Sequence, residues 1–144
     1  FDLLYAMEWD EAAAFEKVVP LLHRCFSQGS VEAILEELEA TGGEWASAQA
    51  AALKTRCPFA LKVAFRQMQE GAAMRTFEEV MTMEHRLALR LIRRPDFTEG
   101  VRATVIDKDN KPQWSPAALA WVTDAMLDEA FAPLPAEEEL TFID

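Results

Sequence analysis

The chain has 144 residues, enough for one domain with an ordinary core, and its 51% hydrophobic against 27% charged content excludes a disordered segment. Fourteen basic against 25 acidic residues give a net charge of −11, the wrong sign for general nucleic-acid binding, where cations must neutralise phosphates. The longest apolar run, around Val18 to Leu22, falls far short of the roughly 20 residues of a membrane span.

Alanine occurs 24 times and glycine 5 times, and Leu, Met, Glu and Arg fill much of the rest. These are strong helix formers, and no stretch alternates apolar and polar over strand length, so the expectation is an all-α fold of about six to eight helices in a single domain spanning 1–144. A first helix is expected from Asp10 to about Arg24, with Pro20 kinking or breaking it. Ser27 to Ser30 is a turn, and Ser30 caps a second helix through Glu39 with Val31, Ile34, Leu35 and Leu38 on one face; Thr41-Gly42-Gly43 stops it. A third spans Glu44 to Thr55. Pro58 opens a fourth, carrying Leu61, Ala64, Phe65 and Met68 on its apolar side and ending near Gly71.

In the fifth helix Thr76 and Glu79 form a capping box, and the helix runs to about Arg94. At about 100° per residue, Phe77, Val80, Met81, Leu87, Ala88 and Leu91 share one arc, with Arg86, Arg90, Arg93 and Arg94 opposite. Asp96 with Glu99 reads as a second capping box, opening a helix from Phe97 to about Lys108. Asn110-Lys111-Pro112 is a turn, Ser115-Pro116 starts another helix, and Thr123 or Asp124 starts one that ends before Pro133. The acidic tail, Glu137 to Asp144, is expected to be loose or docked on a partner.

Charge is uneven along the chain. Residues 54–111 hold 12 basic and 8 acidic groups, a balance of +4; the remainder holds 2 against 17, or −15. A mildly basic middle suits a phosphate-bearing small molecule better than a polymer, although acidic flanks also serve solubility alone. Glu84 falls within the apolar arc of the fifth helix. It reads either as an acid or base with a raised pKa or, more commonly at such positions, as half of a buried ion pair with Arg66 or Arg102. The arginine stripe reads as a solvated face rather than a phosphate site. His23 and His85 have no partner at metal-ligand spacing, so no metal site is expected. Cys25 and Cys57 read as buried thiols in a reducing compartment, which points to the cytoplasm. There is no glycine-rich phosphate loop and no G-x-S-x-G elbow, so the chain by itself does not read as catalytic. With Phe1 first and no recognisable leader, it reads as a piece of a longer protein or a processed product.

From residue 96 the sequence becomes specific. Asp96-Phe97-Thr98-Glu99-Gly100-Val101-Arg102-Ala103, Ile106-Asp107-Lys108-Asp109, Lys111-Pro112-Gln113-Trp114 and Pro116 together resemble the C-terminal region of 3-hydroxyisobutyryl-CoA hydrolases, members of the crotonase (enoyl-CoA hydratase/isomerase) superfamily. Cys25-Phe26-Ser27, Val31-Glu32, Pro58, Leu61-Lys62, Arg66-Gln67, Glu70-Gly71 and Met83-Glu84-His85-Arg86-Leu87 agree with that resemblance, which runs from about His23 to Phe131. It implies a C-terminal helical domain whose catalytic core precedes it, supplying an oxyanion hole and carboxylates for hydrolysis of an acyl-CoA thioester in valine breakdown. It implies no cofactor apart from the coenzyme A of the substrate, no catalytic residue in this chain, and a mitochondrial-matrix location in a eukaryote. The implied partners are the protein's own N-terminal core, the acyl-CoA and a further copy of the chain. Related hydratases place an aromatic and then a lysine against coenzyme A where this chain has Thr104 and Asp107. Arg102, Lys108 and Lys111 are therefore the candidate phosphate contacts, and Trp114 either packs on adenine or, the favoured reading, plugs the core. Enoyl-CoA hydration or isomerisation and a non-catalytic helical interaction module are the rival readings.

Overall fold

A computed structural model describes residues 16–142, and every regular element among them is helical. Contacts gather into two compact units, 1–55 and 56–144. The junction at Thr55 carries no Pro- or Gly-rich linker, so composition gives no sign of the subdivision.

In the first unit, helix α1 (16–26) continues through Pro20 without interruption and two residues beyond Arg24; its expected start at Asp10 lies outside the described residues. The Ser30 side chain accepts the Ala33 N–H and starts α2, Val31–Thr41. Gly42 ends it with φ of 64°, a left-handed conformation that costs glycine nothing, and donates its N–H to Leu38 O. Helix α3, Gly43–Lys54, follows at once. Val31, Ile34 and Leu38 of α2 and Ala46 and Ala50 of α3 are buried where the two helices pack, with Cys25 of α1 fully buried and 3.5 Å from the Thr41 hydroxyl. Small residues on α3 permit close approach, and ion pairs from Arg24 to Glu37 and from Lys54 to Glu39 fringe the contact.

The second unit begins with α4, Pro58–Ala73, where proline occupies the first turn as expected. Its buried face is set by Phe59 and Val63, whereas Leu61 and Phe65 are half-buried and Ala64 and Met68 are exposed. The expected apolar side is thus rotated from the face that packs. Helix α5, Phe77–Ile92, has its full capping box and stops two residues before the expected end. It buries Met83 and Leu87, while Phe77 and Ala88 of the expected arc stay exposed. Helix α6, Pro95–Val101, passes into a π-helical turn, Arg102–Ile106, in place of one continuous helix to Lys108. No helix starts at Ser115-Pro116; only a 3₁₀ turn, Leu119–Trp121, precedes α7, Asp124–Phe131, which Thr123 caps through the Met126 N–H. The Ser115 N–H and carbonyl are both taken by side chains from the start of α6, which removes them from any helical ladder. Phe59, Val63, Met83, Leu87, Val122, Leu127 and Ala130 make the core, with Trp114 and Phe131 packed against it.

Candidate functional site

Pro95 at the first helical position makes Arg94 the N-cap and puts Asp96 inside the first turn of α6, so the expected Asp96–Glu99 capping box does not form. Asp96 instead becomes the one buried charged residue among the described residues, 8% exposed. Its Oδ2 accepts from Arg94 Nε (3.2 Å) and Nη2 (3.1 Å), and its Oδ1 accepts the Ser115 N–H at 2.7 Å. Arg94 also donates to the Ser115 carbonyl and lies 3.7 Å from the Phe59 ring centroid. A charge this deep is tolerated because it is paired and its oxygens are satisfied. The lock pins the segment carrying Trp114 onto α6, where the indole reaches the space above Gly100; a Cβ there would meet Trp114 at 3.3 Å. Beside it lies an open apolar recess of about 380 Å³ lined by Phe59, Leu91, Phe97, Val101, Thr104 and Trp114. The half-buried indole packed on the core fits a plug.

Arg102, the first of the three candidate phosphate contacts, is occupied from within. Its guanidinium donates to Glu99 (2.7 and 2.9 Å), Asp107 (2.6 Å), Asp109 (2.7 Å) and the Lys111 carbonyl. The hydrogen bonds it donates to Glu99, Asp109 and Asp107 raise its pKa further above an already high value. The same guanidinium, then the Gln113 N–H, lowers Glu99 to about 2. Asp109 is also lowered, by Arg102 first and then by the Lys111 N–H. Arg102 therefore serves as the hub of the 107–113 loop, and Lys108 (φ 55°) and Lys111 are displayed, exposed, on its rim.

Glu84 is not within a buried face and pairs with neither Arg66 nor Arg102. It is exposed and accepts from Gln67 Nε2 at 2.7 Å, because the packed side of α5 is centred on Met83 and Leu87. Arg66 pairs instead with Glu70 and Asp128. Arg86, Arg90 and Arg94 of the arginine stripe are half-buried and paired within this chain while Arg93 stays exposed, and Glu138 and Glu139 of the tail dock on the stripe. Arg86 binds Glu139, Arg93 binds Glu138, His85 Nε2 lies 2.7 Å from the Glu138 carbonyl oxygen, and Arg90 donates to the carbonyls of Ala130, Ala132 and Pro133. Cys57, at the N-cap of α4, is buried, and desolvation pushes its thiol pKa up, against weaker hydrogen bonds from Ala60 and Phe59. His23 is exposed. Among the described residues no helix is long and apolar enough to cross a membrane, and no group of three or more His, Cys, Asp or Glu could hold a metal ion. The sequence reading missed the roles of Arg94 and Asp96; the signal was Pro95, which fixes where α6 begins.

Residues 4–131 match the family model described as enoyl-CoA hydratase/isomerase. The 3-hydroxyisobutyryl-CoA hydrolase of Danio rerio, named as mitochondrial, is 45% identical over 113 residues, 78% of this chain and 29% of that protein. Its namesake in Rattus norvegicus, also named as mitochondrial, is 40% identical over 132 residues, covering 92% of this chain and 34% of that protein. Among solved structures, an enoyl-CoA hydratase from Rhodobacter sphaeroides 2.4.1 superposes with a TM-score of 0.77 at 29% identity, over 96% of this chain and 45% of that one. The chain thus spans about a third of the length of the curated relatives it matches.

Proposed function

The chain belongs to the enoyl-CoA hydratase/isomerase family, and from that premise we propose that it is the C-terminal helical portion of an acyl-CoA thioester hydrolase of the 3-hydroxyisobutyryl-CoA type. The observation that carries the reading is the 45% identity to a hydrolase of that name over most of the chain. The reacting thioester is then handled by the protein's own core, which precedes these helices. There, backbone donors stabilise the developing negative charge and a carboxylate assists water. None of the described side chains is assigned a catalytic role.

The helical portion closes the acyl-CoA pocket and contributes to subunit packing, including contacts with a second copy. Arg102 holds the 107–113 loop, and Lys108 and Lys111 on its rim meet the phosphates of coenzyme A. No other cofactor is required, and the site of action is the mitochondrial matrix, a reading supported by relatives that are named as mitochondrial. Arg102 acts as a positioning residue, since its donors are already committed to Glu99, Asp107 and Asp109.

The test is an assay of the whole protein on 3-hydroxyisobutyryl-CoA and on an enoyl-CoA, following thiol release and loss of the enoyl absorbance separately. Thioester cleavage is the expected result, with the joint Lys108→Ala, Lys111→Ala variant raising KM about tenfold at unchanged kcat, as two lost phosphate contacts would. Hydration without cleavage would overturn the hydrolase reading in favour of a second, enoyl-CoA hydration, to which the similarity to the Rhodobacter sphaeroides structure lends weight.

A further inference from the structure

The segment after α7 is fastened to α5 by groups of opposite charge, and its own geometry shows how. Leu134 is buried and anchors it. Glu139 folds back so that Oε1 accepts both the Leu134 N–H (2.6 Å) and Arg86 Nε (2.9 Å), while the Glu138 and Glu139 N–H groups donate to the Pro135 carbonyl. Glu138 forms a two-bond pair with Arg93. The two pairs differ in exposure: Arg93 and Glu138 side chains are 56% and 33% exposed, Arg86 and Glu139 26% and 21%. The contacts to Glu138 and Glu139 come from His85 and Arg86 of α5 and from Arg93 at its C-cap, so the acidic segment lies along cations as an anionic ligand would.

We propose that residues 134–140 form an electrostatic latch that opens as a unit without unfolding the helices, and that opening unmasks His85, Arg86 and Arg93 as a binding surface for a phosphate-bearing anion, while Arg90 stays bonded to the carbonyls of Ala130, Ala132 and Pro133. Buried Leu134, partly buried Leu140, two partly exposed ion pairs and the His85 contact to the Glu138 carbonyl hold the segment, whereas α5 is held by Met83 and Leu87 in the core. Local opening of so lightly anchored a segment takes less free energy than global unfolding, and screening of exposed pairs eases it further. Glu129 of α7 lies beside Arg90 and Arg93 around a shallow pocket, and Glu70, Glu78 and Glu79 lie with Arg86 around another. These carboxylates remain after opening and set a limit on how strongly the row attracts anions.

The test uses amide hydrogen exchange on the full chain together with titration by inorganic pyrophosphate. Raising salt from about 0.1 M to about 1 M is expected to speed exchange at Leu134, Glu138 and Glu139 by about tenfold while Met83 and Leu87 amides keep their rates. The Glu138→Gln, Glu139→Gln variant is expected to do the same at low salt and to bind pyrophosphate at least about tenfold tighter than the parent chain. Unchanged α5 exchange certifies that the variant is folded. Exchange at all five amides rising together, or at none, would overturn the latch. Equal pyrophosphate affinity in parent and variant would overturn the anion surface.

Discussion

Removing the Asp96 carboxylate is expected to destabilise the chain more than the loss of any exposed ion pair, because two separate partners lose their acceptor at once. In Asp96→Ala the Ser115 N–H, now bonded at 2.7 Å, is left unpaired in a part-buried position, at a cost of about 1–3 kcal/mol. Arg94 loses two charged hydrogen bonds, and removing one partner of a buried pair costs about 3–5 kcal/mol. Arg94 is a quarter exposed and keeps the Ser115 carbonyl and the Phe59 ring, so the two effects overlap at the lower end, about 3 kcal/mol in all. Asp96→Asn keeps an oxygen for the Ser115 N–H and gives up only the charge, for an expected loss of about 1–2 kcal/mol. Urea unfolding followed by helical circular dichroism gives both numbers, and tryptophan fluorescence reports whether Trp114 leaves α6. An Asp96→Ala chain within about 0.5 kcal/mol of the parent, or an Asn variant no better than the Ala variant, would show that Asp96 does not hold Ser115 and Arg94 together.

Three further outcomes follow from the same geometry. Gly71→Ala places its Cβ at an ordinary 3.7 Å from Met83 and should stabilise α4 by about 0.5–1 kcal/mol, whereas Gly100→Ala pushes on Trp114 and should gain less and shift its fluorescence; equal gains would contradict the indole placement. Glu99, depressed from 4.5 to about 2, contributes stability that is complete above its unfolded pKa and is lost as pH falls through its folded one; a side-chain NMR titration should find the low midpoint, and Arg102→Met should move it upward. Cys57 and Cys25 are buried thiols, Cys57 with a raised pKa, so a thiol reagent should label them only as the chain opens; labelling at the rate of free cysteine under native conditions would show that neither is enclosed.

Local hydrogen-bond chemistry made much of the fold legible. Ser30, Thr76 and Thr123 cap the helices that follow them, and Pro58 opens α4, because each signal acts within one turn of the chain. The phase of the packed faces was harder to read. On α4 and α5 the apolar residues cover more of the circumference than the second unit buries, so periodicity alone placed the centre of each face wrongly, and Glu84 with it. The interactions that define the site are separated in sequence: Asp96 with Ser115, Arg86 with Glu139, Arg93 with Glu138. No short-range rule links such pairs, which is why the arginine row read as solvated and the tail as loose or docked on a partner. Arg102 differs, since Glu99, Asp107 and Asp109 lie within seven positions of it; its internal pairing was within reach of a local reading that assigned it to phosphate instead. The resemblance carried what periodicity did not, a family assignment that the comparison over residues 4–131 establishes.

The intact mass of the native gene product in its source cell tests the claim that these helices are the helical part of a larger acyl-CoA hydrolase. The expected mass is about three times the 16.2 kDa of this chain, since the chain spans 29–34% of the hydrolases it matches. A mass near 16.2 kDa would contradict the claim, leaving a stand-alone helical module with no core to perform the hydrolysis.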